Sequence, residues 1–165
     1  MLTPEIQASA SRSVLCWLAT VDASGQPHVS PKEVFAVFDA QHVVVANIAS
    51  PGSARNIGAH PQVCLSFVDV FVQKGFKLLG SARNVRPEDA EFSAWAKPLE
   101  AMAGPRFPLA SVFVILVSAL EPILAPSYRL FPGEVDEASQ IKAALKRYGV
   151  AHAAELKLQP DFGGS

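Results

Sequence analysis

Ser50, Ser53 and Arg55 fall within one short stretch of sequence, Ser50-Pro51-Gly52-Ser53-Ala54-Arg55-Asn56-Ile57. Two hydroxyls and a guanidinium beside a glycine turn are the donors that a phosphate dianion takes, and the guanidinium adds charge to the hydrogen bond. A helix beginning at Ser53 would add free backbone N–H groups and the positive end of its dipole. The same residues also describe an ordinary helix start, with Ser53 as the cap and Arg55 in solvent. Local sequence leaves both readings open.

Other chemistries find less support. There is no G-x-S-x-G, and the histidines at 28, 42, 60 and 152 stand in four different contexts with no Cys or Ser motif beside them, so no hydrolase triad is expected. H-E-x-x-H, C-x-x-C and clustered carboxylates are missing, which leaves no metal site and makes His28, His42 and His60 strand-edge or helix-end polar residues. Cys16 and Cys64 lie in apolar runs and read as small core residues. Trp17 and Trp95 each fall on an apolar face at core spacing, so both are expected in the core. No side-chain acid, base or nucleophile is singled out as catalytic.

The chain that must position these groups has 165 residues, with 14 Lys+Arg against 15 Asp+Glu. That balance disfavours nucleic acid or an anionic membrane as partner. Half the residues are apolar and 18% are charged, the composition of a folded domain with one sizeable core. No repeat, low-complexity tract or linker interrupts it, so residues 1–165 are expected to form a single domain. The strictly apolar run 112–117 stops at Ser118, too short for a membrane helix and fit for a buried strand. The N-terminus carries no basic region followed by an apolar stretch, so the expected compartment is the cytoplasm.

Thr3-Pro4-Glu5 has the cap, first-turn proline and acidic residue of a helix start, predicting a helix to about residue 13. Strands are predicted over 14–21, 28–38 and 42–48 as an antiparallel meander, with turns at 22–26 and 39–41. A short helical element over 54–59 ends before His60-Pro61. Strands over 63–72 and 76–85 flank a hairpin tip at Gln73-Lys74-Gly75. A helix opens at Pro87-Glu88-Asp89, with Phe92, Trp95, Ala96 and Leu99 on one face and Pro98 expected to kink or end it. A long strand follows over 111–124, a further strand is expected at 128–131, and 134–149 has the spacing of an amphipathic helix. The tail after Leu158 is expected to be loose. About six close-spaced strands with helices at the ends and in the connections make an α+β, mainly β pattern, met most simply by a small antiparallel barrel. The lack of G-x-G-x-x-G and of a P-loop argues against a doubly wound nucleotide fold.

The run from Leu18-Ala19-Thr20-Val21 through Gly25-Gln26-Pro27-His28-Val29-Ser30-Pro31-Lys32, then Val44-Val45-Ala46-Asn47, then Arg55-Asn56-Ile57-Gly58-Ala59-His60-Pro61-Gln62-Val63-Cys64-Leu65-Ser66-Phe67, then Phe76-Lys77-Leu78-Leu79-Gly80-Ser81-Ala82, resembles the pyridoxamine 5'-phosphate oxidase-like family of FMN-binding split β-barrels. The likeness spans residues 5–90, and its most specific part joins the paired strands to a segment similar to the family's "RNLxxNPxVxLxF" signature. What it implies is a six-stranded antiparallel split β-barrel with flanking helices, and a homodimer holding FMN at the subunit interface. The resemblance also implies ring-side contacts from Ser30, Pro31, Lys32 and Glu33, ribityl contacts from Ala46, Asn47 and Ile48, and phosphate contacts from Ser50, Ser53, Arg55 and Asn56. The hairpin tip of the second subunit, with Lys74, would cover the cofactor.

Two departures qualify what the family carries over. Many members have Lys or Arg at the position matched by Ser53, so the phosphate site has one cation fewer. The R-x-H motif with which pyridoxamine-phosphate oxidases proper hold substrate phosphate has no counterpart in residues 156–161, so that activity is not implied. The expected function is that of an FMN-binding oxidoreductase acting on a small molecule by hydride transfer at flavin N5. Its alternatives are a non-catalytic flavin-binding, stress-related protein, or a split barrel holding deazaflavin or haem.

Overall fold

The structure is a computed structural model that describes residues 2–150. His152, residues 156–161 and the tail after Leu158 lie outside the described residues. The chain divides into two compact units: Met1–Asp69 with Gln73–Leu124, and Val70–Val72 with the segment from Ala125 on.

The first unit opens on α1 (Pro4–Arg12), where Thr3 Oγ1 accepts from the Ile6 N–H at 3.4 Å, proline takes the first turn and Ile6, Ser9 and Ala10 are buried. Seven strands follow where six were expected: β1 (Cys16–Val21), β2 (Pro27–Lys32), β3 (Phe35–Val37), β4 (His42–Asn47), β5 (Gln62–Asp69), β6 (Lys74–Val85) and β7 (Ser111–Leu124). They form one antiparallel sheet in the order β2-β1-β5-β6-β7-β4-β3. The predicted strand 28–38 is therefore broken. Its first half pairs with β1 and its second with β4, so the two halves lie at opposite ends of the sheet although only Glu33 and Val34 separate them in the chain. A sheet whose two edge strands are consecutive must curl round on itself, giving a mainly β split half-barrel with flanking helices. The simple meander is corrected accordingly, because β1 and β4 each find a second partner elsewhere, in β5 and β7.

β2 carries two prolines, Pro27 and Pro31, which fits an edge strand. Within β7 the apolar run stops at Ser118 because the register shifts there: Leu79 faces Ala119 while Gly80 faces Val117. Ser118 is the extra residue, and its hydroxyl donates to the Leu79 carbonyl at 3.2 Å. Gly80 permits the close approach, since a Cβ there would stand 2.2 Å from the Leu116 carbonyl oxygen.

Leu18, Leu65, Phe67, Leu78, Val43, Val45, Phe113 and Ile115 fill the inside of the curl together with Cys16 and Ile6. The opposite face of β4 and β7, with Val44, Ala46, Val112 and Val114, packs under Ala96 and Leu99 of α3 (Phe92–Ala103). Burial on both faces is why these two strands read as unbroken apolar runs. α3 starts at Phe92 rather than near Pro87, because the Asp89 carboxylate accepts from the Arg86 N–H at 2.7 Å and holds the preceding residues in turns. It also continues past Pro98 to Ala103. Trp95 packs at 4.4 Å, ring to ring, on Phe38. Trp17, expected in the core, is 45% exposed on the outer side of β1. The neighbouring positions Cys16 and Leu18 take the inner side, and alternation along a strand leaves Trp17 none.

In the second unit, residues 128–131 are not a strand. Ser127–Leu130 form a short helix, α4, because Pro126 already holds a helical φ of −55° and the Phe131 N–H closes onto the Ser127 carbonyl at 3.0 Å. Tyr128 Oη donates to the Val72 carbonyl at 2.8 Å. α5 (Glu137–Tyr148) begins in a capping box between Asp136 and Ser139 and ends at Gly149, whose φ is +65°.

Candidate functional site

The site begins where β4 ends. Asn47 is buried; its Nδ2 donates to Ser111 Oγ of β7 at 2.8 Å, and its Oδ1 accepts from the Ser50 N–H at 3.0 Å. One side chain thus ties the loop after β4 to the neighbouring strand and sets the direction in which the chain enters the next helix, α2 (Pro51–Ala59).

The helix starts three residues earlier than the sequence suggested: Ser50, not Ser53, is the cap residue, and Pro51 occupies the first turn, where its missing N–H is no loss. Yet the Ser50 hydroxyl does not cap the helix. It accepts instead a hydrogen bond from Lys32 Nζ, reaching across from the end of β2. Gly52 and Ser53 stand in the first turn, where backbone N–H groups have no carbonyl one turn back to donate to. Ser53 is buried and its hydroxyl donates to Ser30 Oγ at 3.4 Å. Ser30 and Lys32 lie two apart on β2, hence on one face, and that face meets the first turn of α2 at two points. Arg55 is exposed, and its guanidinium folds back over the first turn: a Cβ on Gly52 would stand 4.0 Å from Arg55 Nη2. Asn56 points the other way, buried, donating to Thr20 Oγ1 of β1 at 3.0 Å, so it docks the helix on the sheet.

Lys32 is 6% exposed and faces Cys16 across the β1–β2 ladder, with Nζ 5.7 Å from the centre of the Phe113 ring. Among the described residues no carboxylate lies within ion-pair distance of it. Burial lowers the pKa of its ammonium group, an effect partly offset by the Cys16 thiol. The thiol itself is pushed up to about 12 by burial, against the pull of Lys32, and stays protonated.

A cleft of about 350 Å³ opens beside this cation, within the range of small-molecule sites. The end of β2 supplies Pro31 and Lys32 and the link to β3 supplies Glu33, the end of β4 supplies Ala46 and the loop after it Ile48, and Ser50 closes one end. Ring-side, ribityl-side and phosphate-side candidates therefore share one cleft. Ser30, Asn47, Ser53, Arg55 and Asn56 do not line it; they surround or support the helix head at that end. Lys74 begins β6, in register with Asp69 and Leu124, away from the cleft walls. The walls that sequence reading missed are Leu15, Val34, Ala49, Met102, Ala103 and Phe107. Two large exposed apolar side chains in and after the last turn of α3 were the available signal, because loops seldom carry them without a use.

The two histidine–carboxylate pairs are local. His28 meets Asp22 at 3.1 Å and His42 meets Asp39 at 2.9 Å, each beside a turn. Among the described residues no three His, Cys, Asp or Glu side chains gather as a metal site would require.

A family model described as pyridoxamine 5'-phosphate oxidase matches residues 2–124. No curated protein matches the chain. Among solved structures, HupZ of Group A Streptococcus is 26% identical with a TM-score of 0.63, covering 73% of this chain and 92% of its own. A candidate pyridoxamine 5'-phosphate oxidase of Lactobacillus delbrueckii is 27% identical with a TM-score of 0.60, over 73% of this chain and 93% of that one. An FMN-binding protein of Syntrophomonas wolfei shares the fold at 14% identity and a TM-score of 0.61, covering 73% and 88%.

Proposed function

The chain belongs to the pyridoxamine 5'-phosphate oxidase family, and on that premise we propose that it is an FMN-binding flavoprotein whose cleft serves oxidation or reduction of a small molecule. One observation carries the reading. A cleft walled largely by apolar side chains, with Glu33 also in its lining, ends at a helix head where Lys32 reaches Ser50 beside the Gly52 and Ser53 N–H groups and Arg55, and among the described residues no carboxylate pairs with Lys32. That donor set fits a phosphate, and the walls from Leu15, Pro31, Val34, Ala46 and Phe107 fit a flat apolar ring. When bound, FMN would supply hydride chemistry at its own N5, which needs no acid or base from the chain. The chain's part is to anchor the phosphate through the α2 head, to orient the ring along residues 30–33, and to keep water from its face.

A homodimer belongs to the same proposal. Trp17 and Val29, 45% and 59% exposed, stand on the outward side of β1 and β2, and a second copy covering them would remove apolar surface from water. The start of the partner's β6, with Lys74, would then lie against the cofactor as the family likeness implies. Among the described residues no helix is long and apolar enough to cross a membrane; we place the protein in the cytoplasm.

The test is a visible absorbance spectrum of the protein loaded with FMN and then dialysed, followed by addition of NADPH under anaerobic conditions. Flavin bands that survive dialysis and bleach with NADPH are expected. Bands that survive without bleaching by any pyridine nucleotide would make it a flavin carrier rather than an oxidoreductase, and loss of all flavin would remove FMN as the ligand.

A further inference from the structure

The cleft has a neighbour of different polarity. A chamber of about 390 Å³ lies between the end of α1 and β3, and Glu33 and Met102 line both spaces, so the two adjoin across these side chains. Its floor is apolar, from Phe35, Ala36 and Val37 of β3. Lys32 lines the cleft but not the chamber, and among the described residues no other Lys, Arg or His lines the chamber.

Around that floor nearly every polar group accepts. Ser11 Oγ donates to the Gln7 carbonyl at 2.9 Å and Ser13 Oγ to the Ser9 carbonyl at 3.0 Å, so each hydroxyl has committed its one proton within α1 and has only lone pairs left to offer. Gln7 is the one lining side chain with a proton to donate. Glu33 adds a carboxylate with no ion-pair partner among the described residues. Both serines stand at the C-terminal end of α1, where free carbonyls and the helix dipole carry negative charge. The last-turn cation of the helix is engaged elsewhere, because Arg12 Nε is drawn to Asp69 of β5 at 3.4 Å.

An apolar floor beside a ring of acceptors, with negative charge from a carboxylate and from a helix end, selects a cation carried on a hydrocarbon stem. Glu33 is the one carboxylate that lines the chamber among the described residues, too few for a metal ion. A stem has its place over Ala36, Val37 and the Met102 thioether, whose flexibility suits an irregular wall.

We propose that this chamber holds the ammonium group of a small primary amine, the substrate presented to the adjoining cleft, and that Glu33 sets its preference for a cation. The inference deepens the FMN reading and rests on it for the amine's being the substrate, but not for the preference of the chamber.

Hexylamine, protonated at neutral pH, hexanol and hexanoate share a stem and differ in the head. Ligand-observed NMR titration of the full chain with each, with and without added FMN, reads the preference directly. The amine is expected to bind about tenfold more tightly than the alcohol, with hexanoate weakest, and the margin should shrink as salt is raised. Glu33→Gln keeps the shape and removes the charge. Because the carboxylate is exposed, this variant should weaken the amine about fivefold and leave the alcohol unchanged. Ser11→Lys puts a cation at the end of α1, where it suits the dipole, so the melting midpoint should not fall while the preference for the amine is lost. Equal binding of amine and alcohol by the wild type, no binding of the amine, or an unchanged amine affinity in Glu33→Gln would each overturn the proposal. If the amine binds through Glu33 to a protein that retains no flavin, the FMN reading falls and the chamber stands. If FMN is retained and the amine is not preferred, the chamber falls alone.

Discussion

Asn47 and Ser111 stand 64 positions apart and meet side chain to side chain, Nδ2 to Oγ at 2.8 Å, where β4 pairs with β7. The other end of the same amide holds the Ser50 N–H, so one residue joins the core of the sheet to the entrance of α2. Asn47→Ala removes both bonds and strands a buried hydroxyl. We expect a loss of about 1–3 kcal/mol in folding free energy by denaturant titration. Because Ser50 is no longer held, FMN affinity should fall even at temperatures where the variant is fully folded.

Arg55 is the converse case. It is exposed, so Arg55→Ala should leave the folding midpoint within experimental error of wild type. Its guanidinium nevertheless overhangs the first turn of α2. Loss of a charge-assisted bond to phosphate is expected to weaken FMN by about 1.5–3 kcal/mol. Unchanged flavin affinity would take Arg55 out of the site.

The buried thiol of Cys16 makes a prediction in alkali. Its folded pKa of about 12 lies above the ordinary 9.0, so the unfolded chain gives up this proton first as pH rises. The unfolded state then binds fewer protons than the native one, and stability falls by about 1.4 kcal/mol per pH unit between those two values. Below pH 9 the contribution is fully present. Lys32, with its pKa lowered, contributes a slope of opposite sign as it deprotonates, so the thiol is isolated by subtracting the curve of Cys16→Ala from that of wild type. A flat difference above pH 9 would show that the thiol is not held back by burial.

Gly80 is a packing prediction with no bearing on the ligand. A methyl group at this position would meet the Leu116 carbonyl oxygen at 2.2 Å and Val117 Cα at 3.1 Å, both backbone and neither free to swing aside. Gly80→Ala should cost at least the upper part of the roughly 1–3 kcal/mol range of overpacking. Gly58→Ala, with open space around it, is the matched control and should cost little.

Trp17 tests the assembly. If a second copy covers the outer face of β1 and β2, Trp17→Glu should give a folded monomer by light scattering where wild type is a dimer. A wild-type monomer at micromolar concentration would remove the dimer from the proposal.

The parts legible in sequence are those whose causes are local. The α1 start, the turn around Gly25, the long β7 and the donors near Ser50 each rest on neighbouring residues with a fixed conformational or chemical meaning. The break between β2 and β3 rests on none: Glu33 and Val34 carry no turn signal, and the strand divides because the sheet closes around it. Trp17 was unreadable because both phases of its strand are apolar, Leu15-Trp17-Ala19 as well as Cys16-Leu18, so alternation could not say which faced inward. Residues 127–130 are too few for periodicity to separate helix from strand, and Tyr128, Leu130 and Phe131 favour the wrong choice. Lys32 reaching Ser50 is a tertiary contact, and no spacing rule relates a strand end to a helix cap 18 residues on.

Pro27 and Pro31 on β2 govern how copies of this chain can meet without joining into fibres. A proline survives in a paired strand only where its missing N–H would point away from the partner, so residues 27, 29 and 31 turn their N–H side outward. Of those three positions only Val29 has a donor to offer. An incoming strand would find a nearly donorless rim there, and sheet extension from molecule to molecule is closed at this end. In the dimer we propose, contact would be made face to face and would stop at a pair instead of running on into a filament.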